Sequence, residues 1–188
     1  MAGNTISKLE TLKKQVITCT RCGLHETRNK AVFGEGDYKA DILIIGEGPG
    51  ANEDKLGRPF VGRAGKLLDE ILEQNKLTRE QGVFIANIVK CRPPKNRVPR
   101  KKEIETCFPY LEQQIELIDP SIIVLLGLTA VKSFLGIEEQ MKVLRGKKME
   151  RDGRTVMATY HPAAILRNPN LRGLLEEDIQ QISRWNKK

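Results

Sequence analysis

Four short apolar runs constrain the fold of this chain more than any other feature. They cover residues 41–46, 83–89, 122–127 and 155–160, and they are rich in β-branched side chains. Each run has the length of a strand and lacks the apolar–polar alternation of a half-exposed strand. This pattern is typical of strands that are buried on both faces of a parallel sheet.

The stretches between these runs are long enough for crossover helices. Residues 63–75 and 101–118 carry Leu and Ile at helical spacing, and residues 129–135 form a third, shorter candidate. Residues 147–157 indicate a hairpin around Asp152-Gly153, and residues 5–18 and 171–185 indicate amphipathic end helices. Alternating strands and helices with short loops predict a parallel sheet sandwiched by helices, in one domain over residues 1–188.

The charge and hydropathy of the chain bound its partners and its compartment. The net charge of +8, from 32 Lys and Arg against 24 Asp and Glu, favours a polyanionic partner. No segment approaches the ~18 apolar residues of a membrane span, and the polar N-terminus lacks a signal-peptide core. We therefore expect a cytoplasmic protein with reduced thiols and no membrane partner.

Unusual residues follow the predicted strands at their carboxyl ends, where parallel α/β sheets bind their ligands. A glycine-rich loop, residues 46–50, follows the first strand, Asn87 lies at the end of the second, and His161 follows the fourth. A lone histidine is often structural, so its position leaves a structural and a functional role equally open. Together these positions predict a binding or catalytic site.

The glycine-rich loop matches the loose G-x-G-x-x-A form of the dinucleotide fingerprint. Two features argue against that interpretation. A polar stretch, residues 52–59, separates the loop from the next helix, and the next strand begins near Val83, too late for the required acidic residue. We interpret the loop as one that lets a ligand approach the backbone, with an ordinary tight turn as the alternative.

Four cysteines, Cys19, Cys22, Cys91 and Cys107, form a C-x2-C pair and a distant C-x15-C pair. In a reducing compartment this set indicates a metal site rather than disulfides, with buried structural thiols as the alternative. The spacing does not distinguish a zinc ion from an iron–sulfur cluster, since both accept four thiolates.

The segment between the last two cysteines is the most basic part of the chain. Residues 90–102 contain seven Lys or Arg: Lys90, Arg92, Lys95, Arg97, Arg100, Lys101 and Lys102. This density favours contacts with phosphates, although a solvated charge run is an equally weighted alternative.

These motifs together resemble those of the family 4 uracil-DNA glycosylases, the iron–sulfur members of the uracil-DNA glycosylase superfamily. The resemblance runs over nearly the whole chain, through the C-x2-C pair, GEGPG, GRPFVGRAGKLL, NIVKCRPPKNR, the C-x15-C pair and HPAAILRNP, in that order. It implies an α/β/α sandwich around a four-stranded parallel sheet, and a [4Fe–4S] cluster on the four cysteines. We expect a monomer that flips uracil out of single- or double-stranded DNA and hydrolyses its N-glycosidic bond.

The resemblance also implies roles for the residues around the expected base pocket. Phe60 would stack on the extruded uracil, and the amide of Asn87 would pair with its N3 hydrogen and O4. His161 would donate to uracil O2 as the departing base becomes an anion. The remaining candidates are Glu47, then Glu53, for positioning the attacking water, and Gly48 and Pro49 for holding the base.

For DNA, the resemblance and the charge pattern implicate two surfaces. The basic segment contributes Lys90, Arg92, Lys95 and Arg97. The residues after His161 resemble a DNA-inserting loop, in which Ile165 or Leu166 would wedge into the base stack beside Arg167. An ordinary helix start is the alternative for this second segment.

Two features of the chain depart from better-known uracil glycosylases. Those enzymes have an aspartate where this chain has Gly48, and a thymine-excluding tyrosine where it has Gly50. The water-activating group and the basis of thymine exclusion are therefore open at this point.

Two rival functions are consistent with part of the pattern. A related branch bonds covalently to the abasic sugar through a histidine in an inserted basic loop, but residues 90–102 contain no histidine. A metal-stabilised DNA-binding module would explain the charge and the cysteines, but it gives Phe60, Asn87 and His161 no role.

Overall fold

The structure is a computed structural model, and it describes residues 2–186. Within this range one sheet has the strands β1 (Glu35–Gly36), β2 (Ile42–Gly46), β3 (Val83–Asn87), β4 (Ile122–Leu126), β5 (Met149–Arg151) and β6 (Arg154–Thr159). Their order is β1-β3-β2-β4-β6-β5. The four predicted strands are β2, β3, β4 and β6, which pair in parallel. The short strands β1 and β5 add antiparallel edges, so the sheet has six strands rather than the expected four.

The helices are α1 (Ala2–Ile17), α2 (Ala51–Leu56), α3 (Arg63–Gln74), α4 (Lys101–Ile118), α5 (Leu128–Leu135), α6 (Met141–Leu144), α7 (Pro162–Arg167) and α8 (Arg172–Trp185). The predicted crossover helices, end helices and β5–β6 hairpin are thereby confirmed. Across residues 2–186, no helix combines the length and the apolarity that crossing a bilayer requires.

Alternate side chains of the central strands enter two separate cores. On β2, Leu43 and Ile45 pack into the core that includes residues of α1, α4 and α5. Ile42 and Ile44 pack into the core on the other face, with residues of α3 and α8. Because period-2 alternation sends neighbouring residues to opposite faces, an apolar run buries both faces of the sheet. The α/β/α sandwich expected from the sequence is confirmed.

Helix α2 corrects one step of the sequence interpretation. The polar stretch after the glycine-rich loop was expected to be non-helical, but α2 begins directly after Gly50. A tertiary contact fixes this short helix, because the buried carboxylate of Asp54 accepts from the backbone N–H of Asn29 at 2.8 Å. The first argument against a dinucleotide fold is therefore wrong. The second stands, since the next parallel strand, β3, begins only at Val83.

Candidate active site

A pocket of about 710 Å³ opens at the carboxyl ends of the parallel strands. This volume lies in the range of small-molecule sites. All seven residues predicted to handle the base line the pocket: Glu47, Gly48, Pro49, Glu53, Phe60, Asn87 and His161. The fold thus brings together side chains that are more than 100 residues apart in the sequence.

Asn87, the last residue of β3, has an unsatisfied carbonyl. It pairs in register with Gly46 of β2, and its side chain is 2 % exposed. Its Oδ1 atom is buried, and among the described residues it has no hydrogen-bond partner. Leaving a buried acceptor unpaired costs about 1–3 kcal/mol. The geometry is therefore that of an acceptor prepared for a bound ligand.

Gly46 makes room for this acceptor and for an aromatic wall. A Cβ atom on Gly46 would lie 2.6 Å from Oδ1 of Asn87 and 2.7 Å from the ring of Phe60. Both approaches are closer than a real Cβ tolerates, so a residue without a side chain is required here. The Phe60 ring also stacks against His161, with ring centroids 5.4 Å apart and an interplanar angle of 27°.

His161 is held as a neutral hydrogen-bond donor. Its Nδ1 atom accepts from the backbone N–H of Ala163 at 3.1 Å, which leaves the proton on Nε2. Desolvation and, to a lesser extent, the nearby charge of Arg167 lower the pKa of His161 to about 4, while the charge of Glu53 opposes the shift. At neutral pH the imidazole is uncharged and still presents one N–H.

The two candidate carboxylates, Glu47 and Glu53, differ in their hydrogen bonding to the backbone. Oε1 of Glu53 accepts from the backbone N–H groups of Val61 and Gly62, at 2.9 and 3.0 Å, at the start of α3. Glu53 therefore fixes the loop that carries Phe60. Glu47 follows β2 directly, is partly exposed and lines the pocket. Of the two carboxylates, Glu47 is less tied to the scaffold.

Lys90 is not part of the basic surface, and its predicted contact with DNA is wrong. It is 1 % exposed, and its Nζ donates to the backbone carbonyl of Asn87 at 2.9 Å and to Oε1 of Gln114 at 2.5 Å. Burial, opposed in part by negative charge on the Cys107 and Cys91 sulfurs, lowers the pKa of Lys90 to about 8. This inward direction could not be predicted from the local sequence, because the partner Gln114 lies 24 residues further along the chain, on α4.

The other predicted cations of this segment remain at the surface. Lys95 is exposed, whereas Arg92 and Arg97 are partly buried. Arg92 Nε donates to Oδ1 of Asn96 at 2.7 Å. Arg97 forms a two-bond ion pair with Glu103, at 2.6 and 2.9 Å, and also lines the pocket. The basic segment thus forms one rim of the pocket.

Helix α7 forms the opposite side of the pocket, and its two candidate wedge residues, Ile165 and Leu166, differ in exposure. Ile165 is 4 % exposed and belongs to the core beneath α3 and α8, so it cannot insert into DNA from this position. Leu166 is 45 % exposed, and Arg167 lines the pocket. Of the two predicted wedges, only Leu166 is accessible.

The four cysteines line a second, smaller cavity between α1, α4 and the segment after β3. In the described chain, no three His, Cys, Asp or Glu side chains lie close enough to one point to hold a single metal ion, so the four sulfurs line the cavity separately. Donors point at the sulfurs. Arg28 Nη1 lies 3.0 Å from Cys91 Sγ, and the N–H of Lys90 lies 3.2 Å from Cys107 Sγ. Such donors stabilise sulfur ligands that carry negative charge.

The sequence interpretation gave no role to several residues of the pocket wall. Leu128 begins α5 at the end of β4 and is 47 % exposed, and Val98 in the basic segment is 61 % exposed. Tyr160 lies between β6 and His161. All three line the pocket. The end of β4 was a signal for Leu128, because every parallel strand of this sheet ends at the same edge.

Comparison with known proteins identifies the family. The family model of the uracil DNA glycosylase superfamily matches residues 33–184. The Type-4 uracil-DNA glycosylase of Sulfurisphaera tokodaii is 48% identical over 185 residues, covering 94% of this chain and 84% of that protein. The Type-4 enzyme of Thermotoga maritima is 44% identical over 184 residues, with 96% and 95% covered. A Type-5 enzyme of Pyrobaculum aerophilum is 31% identical over 165 residues, with 79% and 72% covered.

The chain belongs to the uracil-DNA glycosylase superfamily and, within it, to the type-4 family. This confirms the resemblance that the motifs indicated.

We expect His161→Gln to flatten the acid dependence of the free energy of unfolding. The folded pKa of about 4 lies below the usual 6.5, so the unfolded state binds more protons between these values. The stability due to the neutral imidazole is present above pH 6.5 and is lost as the pH falls through about 4. Denaturant titrations of both proteins across this range measure the difference, because the other titrating groups are shared. Equal slopes would contradict a desolvated His161.

Proposed function

We propose that this chain is a monofunctional uracil-DNA glycosylase, which binds a flipped-out uracil and hydrolyses its N-glycosidic bond to leave an abasic site. The observation that carries the proposal is the buried Oδ1 of Asn87 in the pocket wall, which has no hydrogen-bond partner within the described part of the chain. Uracil presents an N3–H to such an acceptor. Cytosine has no hydrogen on N3, so it would leave Oδ1 unpaired, and a mismatch of this kind is worth orders of magnitude in rate.

The state of His161 supports the chemistry of bond cleavage. As the glycosidic bond breaks, negative charge develops on the base and the sugar acquires oxocarbenium character. A neutral Nε2–H aimed at uracil O2 would donate a hydrogen bond to that growing anion, and one such donor contributes about 3 kcal/mol. The base would stack on Phe60, which already lies against His161.

Glu47 is the carboxylate we assign to the attacking water. It lines the pocket directly after β2, and Glu53 is already engaged with the backbone of residues 61–62. A negative charge there also offsets the positive charge of the sugar. Gly48 and Pro49 complete this wall, where Gly48 packs so closely on Val89 that a Cβ would lie 2.7 Å from its Cγ2 atom.

The DNA strand would lie across the pocket mouth. We assign phosphate contacts to Arg92, Lys95 and Arg97 on one rim and to Arg167 on the other. The exposed Leu166 is the residue placed to fill the gap left by the flipped base. Either single- or double-stranded DNA suits this arrangement, and a monomer carries all of these groups.

Cys19, Cys22, Cys91 and Cys107 fit a [4Fe–4S] cluster. They supply four sulfur ligands around one cavity, and N–H donors and the Arg28 cation face their sulfurs. When bound, such a cluster would supply covalent cross-links between the N-terminal segment, the basic segment and α4, and hydrolysis of the glycosidic bond needs no electron transfer.

The function is tested on a labelled oligonucleotide with one central uracil, followed by alkaline cleavage of abasic sites. We expect cleavage at uracil, none at thymine or cytosine in the same position, and a loss of roughly 10²–10³-fold for His161→Ala with DNA binding retained. Leu56→Ala, which changes an exposed residue of α2 outside the pocket, is the control. Binding of DNA without cleavage would favour the binding-module alternative, and an adduct that survives denaturation would favour the covalent branch.

The cluster is tested by metal and sulfide analysis of protein purified without oxygen. We expect about four iron and four labile sulfide per chain, with an absorbance that Cys91→Ser abolishes and Thr106→Ser, which alters the same cavity wall, retains. Stoichiometric zinc without sulfide would contradict the assignment.

A further inference from the structure

A buried arginine holds the turn that carries Phe60. Arg79 lies in the connection between α3 and β3 and is only 9 % exposed. Its Nη1 donates to the carbonyl of Pro59, and its Nη2 donates to the carbonyl of Phe60, each at 2.7 Å. The carboxylate of Asp69 orients the same guanidinium, at 2.9 Å from Nε and 3.1 Å from Nη2. Two adjacent carbonyls are therefore fixed by one rigid, planar group.

The backbone at Phe60 needs this support. Its φ angle is +51°, in the left-handed region that a bulky side chain rarely adopts. Strain of this kind persists where the surroundings over-determine the conformation. On the side of α3, the backbone of Gly65 packs directly against the Phe60 carbonyl, since a Cβ on Gly65 would lie 1.8 Å from the carbonyl oxygen. The Phe60 carbonyl therefore lies between the guanidinium of Arg79 and the backbone of Gly65, which can approach it because Gly65 has no side chain.

The same turn aims the Phe60 ring into the pocket. The ring lies against Gly46 and stacks on His161, so a rotation of the strained backbone would move it relative to Asn87 and His161. Arg79 itself does not line the pocket, and it contacts the turn through the carbonyls of residues 59–60.

We propose that Arg79 is a positioning residue that fixes the Phe60 ring as a preorganised stacking surface for the flipped base. This inference rests on the proposed glycosylase function. Without the two bonds from Arg79, the turn relaxes and the base binds in orientations from which the Nε2–H of His161 does not reach it. Misplacement of a reacting group by about 1 Å costs about 10²-fold in rate.

The inference is tested by a double-mutant cycle with Arg79→Gln, Phe60→Leu and the double variant, using single-turnover excision of uracil. We expect Arg79→Gln alone to slow excision by roughly 10- to 100-fold. In the Phe60→Leu background the same change should slow excision less than about twofold, because the stacking ring is already absent. The midpoint of thermal unfolding should fall in both backgrounds.

A purely structural role for Arg79 would give the same loss of rate in both backgrounds, and that result would overturn the inference. Arg58→Gln is the matched control. Arg58 pairs with Glu35, whose carboxylate also lies 3.7 Å from Arg79. Because Arg58 is exposed and binds neither the Pro59 nor the Phe60 carbonyl, Arg58→Gln should retain the wild-type rate. If Arg79→Gln does not fold, Arg79→Lys keeps the charge beside Asp69 but loses the rigid planar fork that binds both carbonyls and Asp69 at once, and it should show the same background-dependent loss.

The outcomes for Arg79 and for the proposed function are distinguishable. Absence of excision by the wild-type protein would count against the glycosylase. Excision by the wild type at a rate that Arg79→Gln leaves unchanged would count against the positioning role alone.

Discussion

The parallel pairing of β2 with β3 places Gly46 opposite Asn87, and the rest of the pocket depends on this pairing. The hydrogen-bonded register brings the end of β3 beside the glycine-rich loop, with the N–H of Ile88 donating to the carbonyl of Gly46 at 2.9 Å. Because Gly46 has no side chain, the Asn87 amide and the Phe60 ring both reach the space above the strand end. A shift by one residue would turn Asn87 toward the opposite face of the sheet.

The segment after β3 connects this pocket to the cysteine cavity. Within five residues, the end of β3 supplies Asn87 to the pocket and the segment after it supplies Cys91 to the cavity, with Lys90 between them. The buried ammonium group of Lys90 donates to the backbone carbonyl of Asn87, while the backbone N–H of Lys90 faces the Cys107 sulfur. Lys90 therefore links the wall of the pocket to the cysteine cavity, and the proposed cluster would anchor both to the N-terminal segment.

Much of this architecture could be predicted from the sequence, because buried strands have a clear local signature. The apolar runs gave β2, β3, β4 and β6, and their common edge located Asn87 and His161. Helix α2 was missed because it is short and polar, and its contact between Asp54 and Asn29 is long-range. Strand β1 has only two residues, too few for any pattern.

The direction of individual side chains could not be predicted in the same way. Lys90 belongs to a basic run yet points inward to Gln114, and Ile165 follows the pocket histidine yet packs into the core. Arg79 has an ordinary sequence context, and only its burial against the carbonyls of residues 59–60 reveals its position. Each of these outcomes depends on partners that are distant in sequence or on backbone geometry.

The side-chain carbonyl of Asn87, which has no hydrogen-bond partner among the described residues, is the group that we propose recognises the N3–H of a flipped uracil. The experiment compares excision of uracil with excision of 3-methyluracil from otherwise identical oligonucleotides. We expect the N3-methyl group to lower the rate by about 10²-fold or more, since it removes the donor and leaves Oδ1 unpaired. We also expect Asn87→Ala to remove most of the difference between the two bases. Excision of both bases at equal rates by the wild-type protein would rule out this mode of recognition.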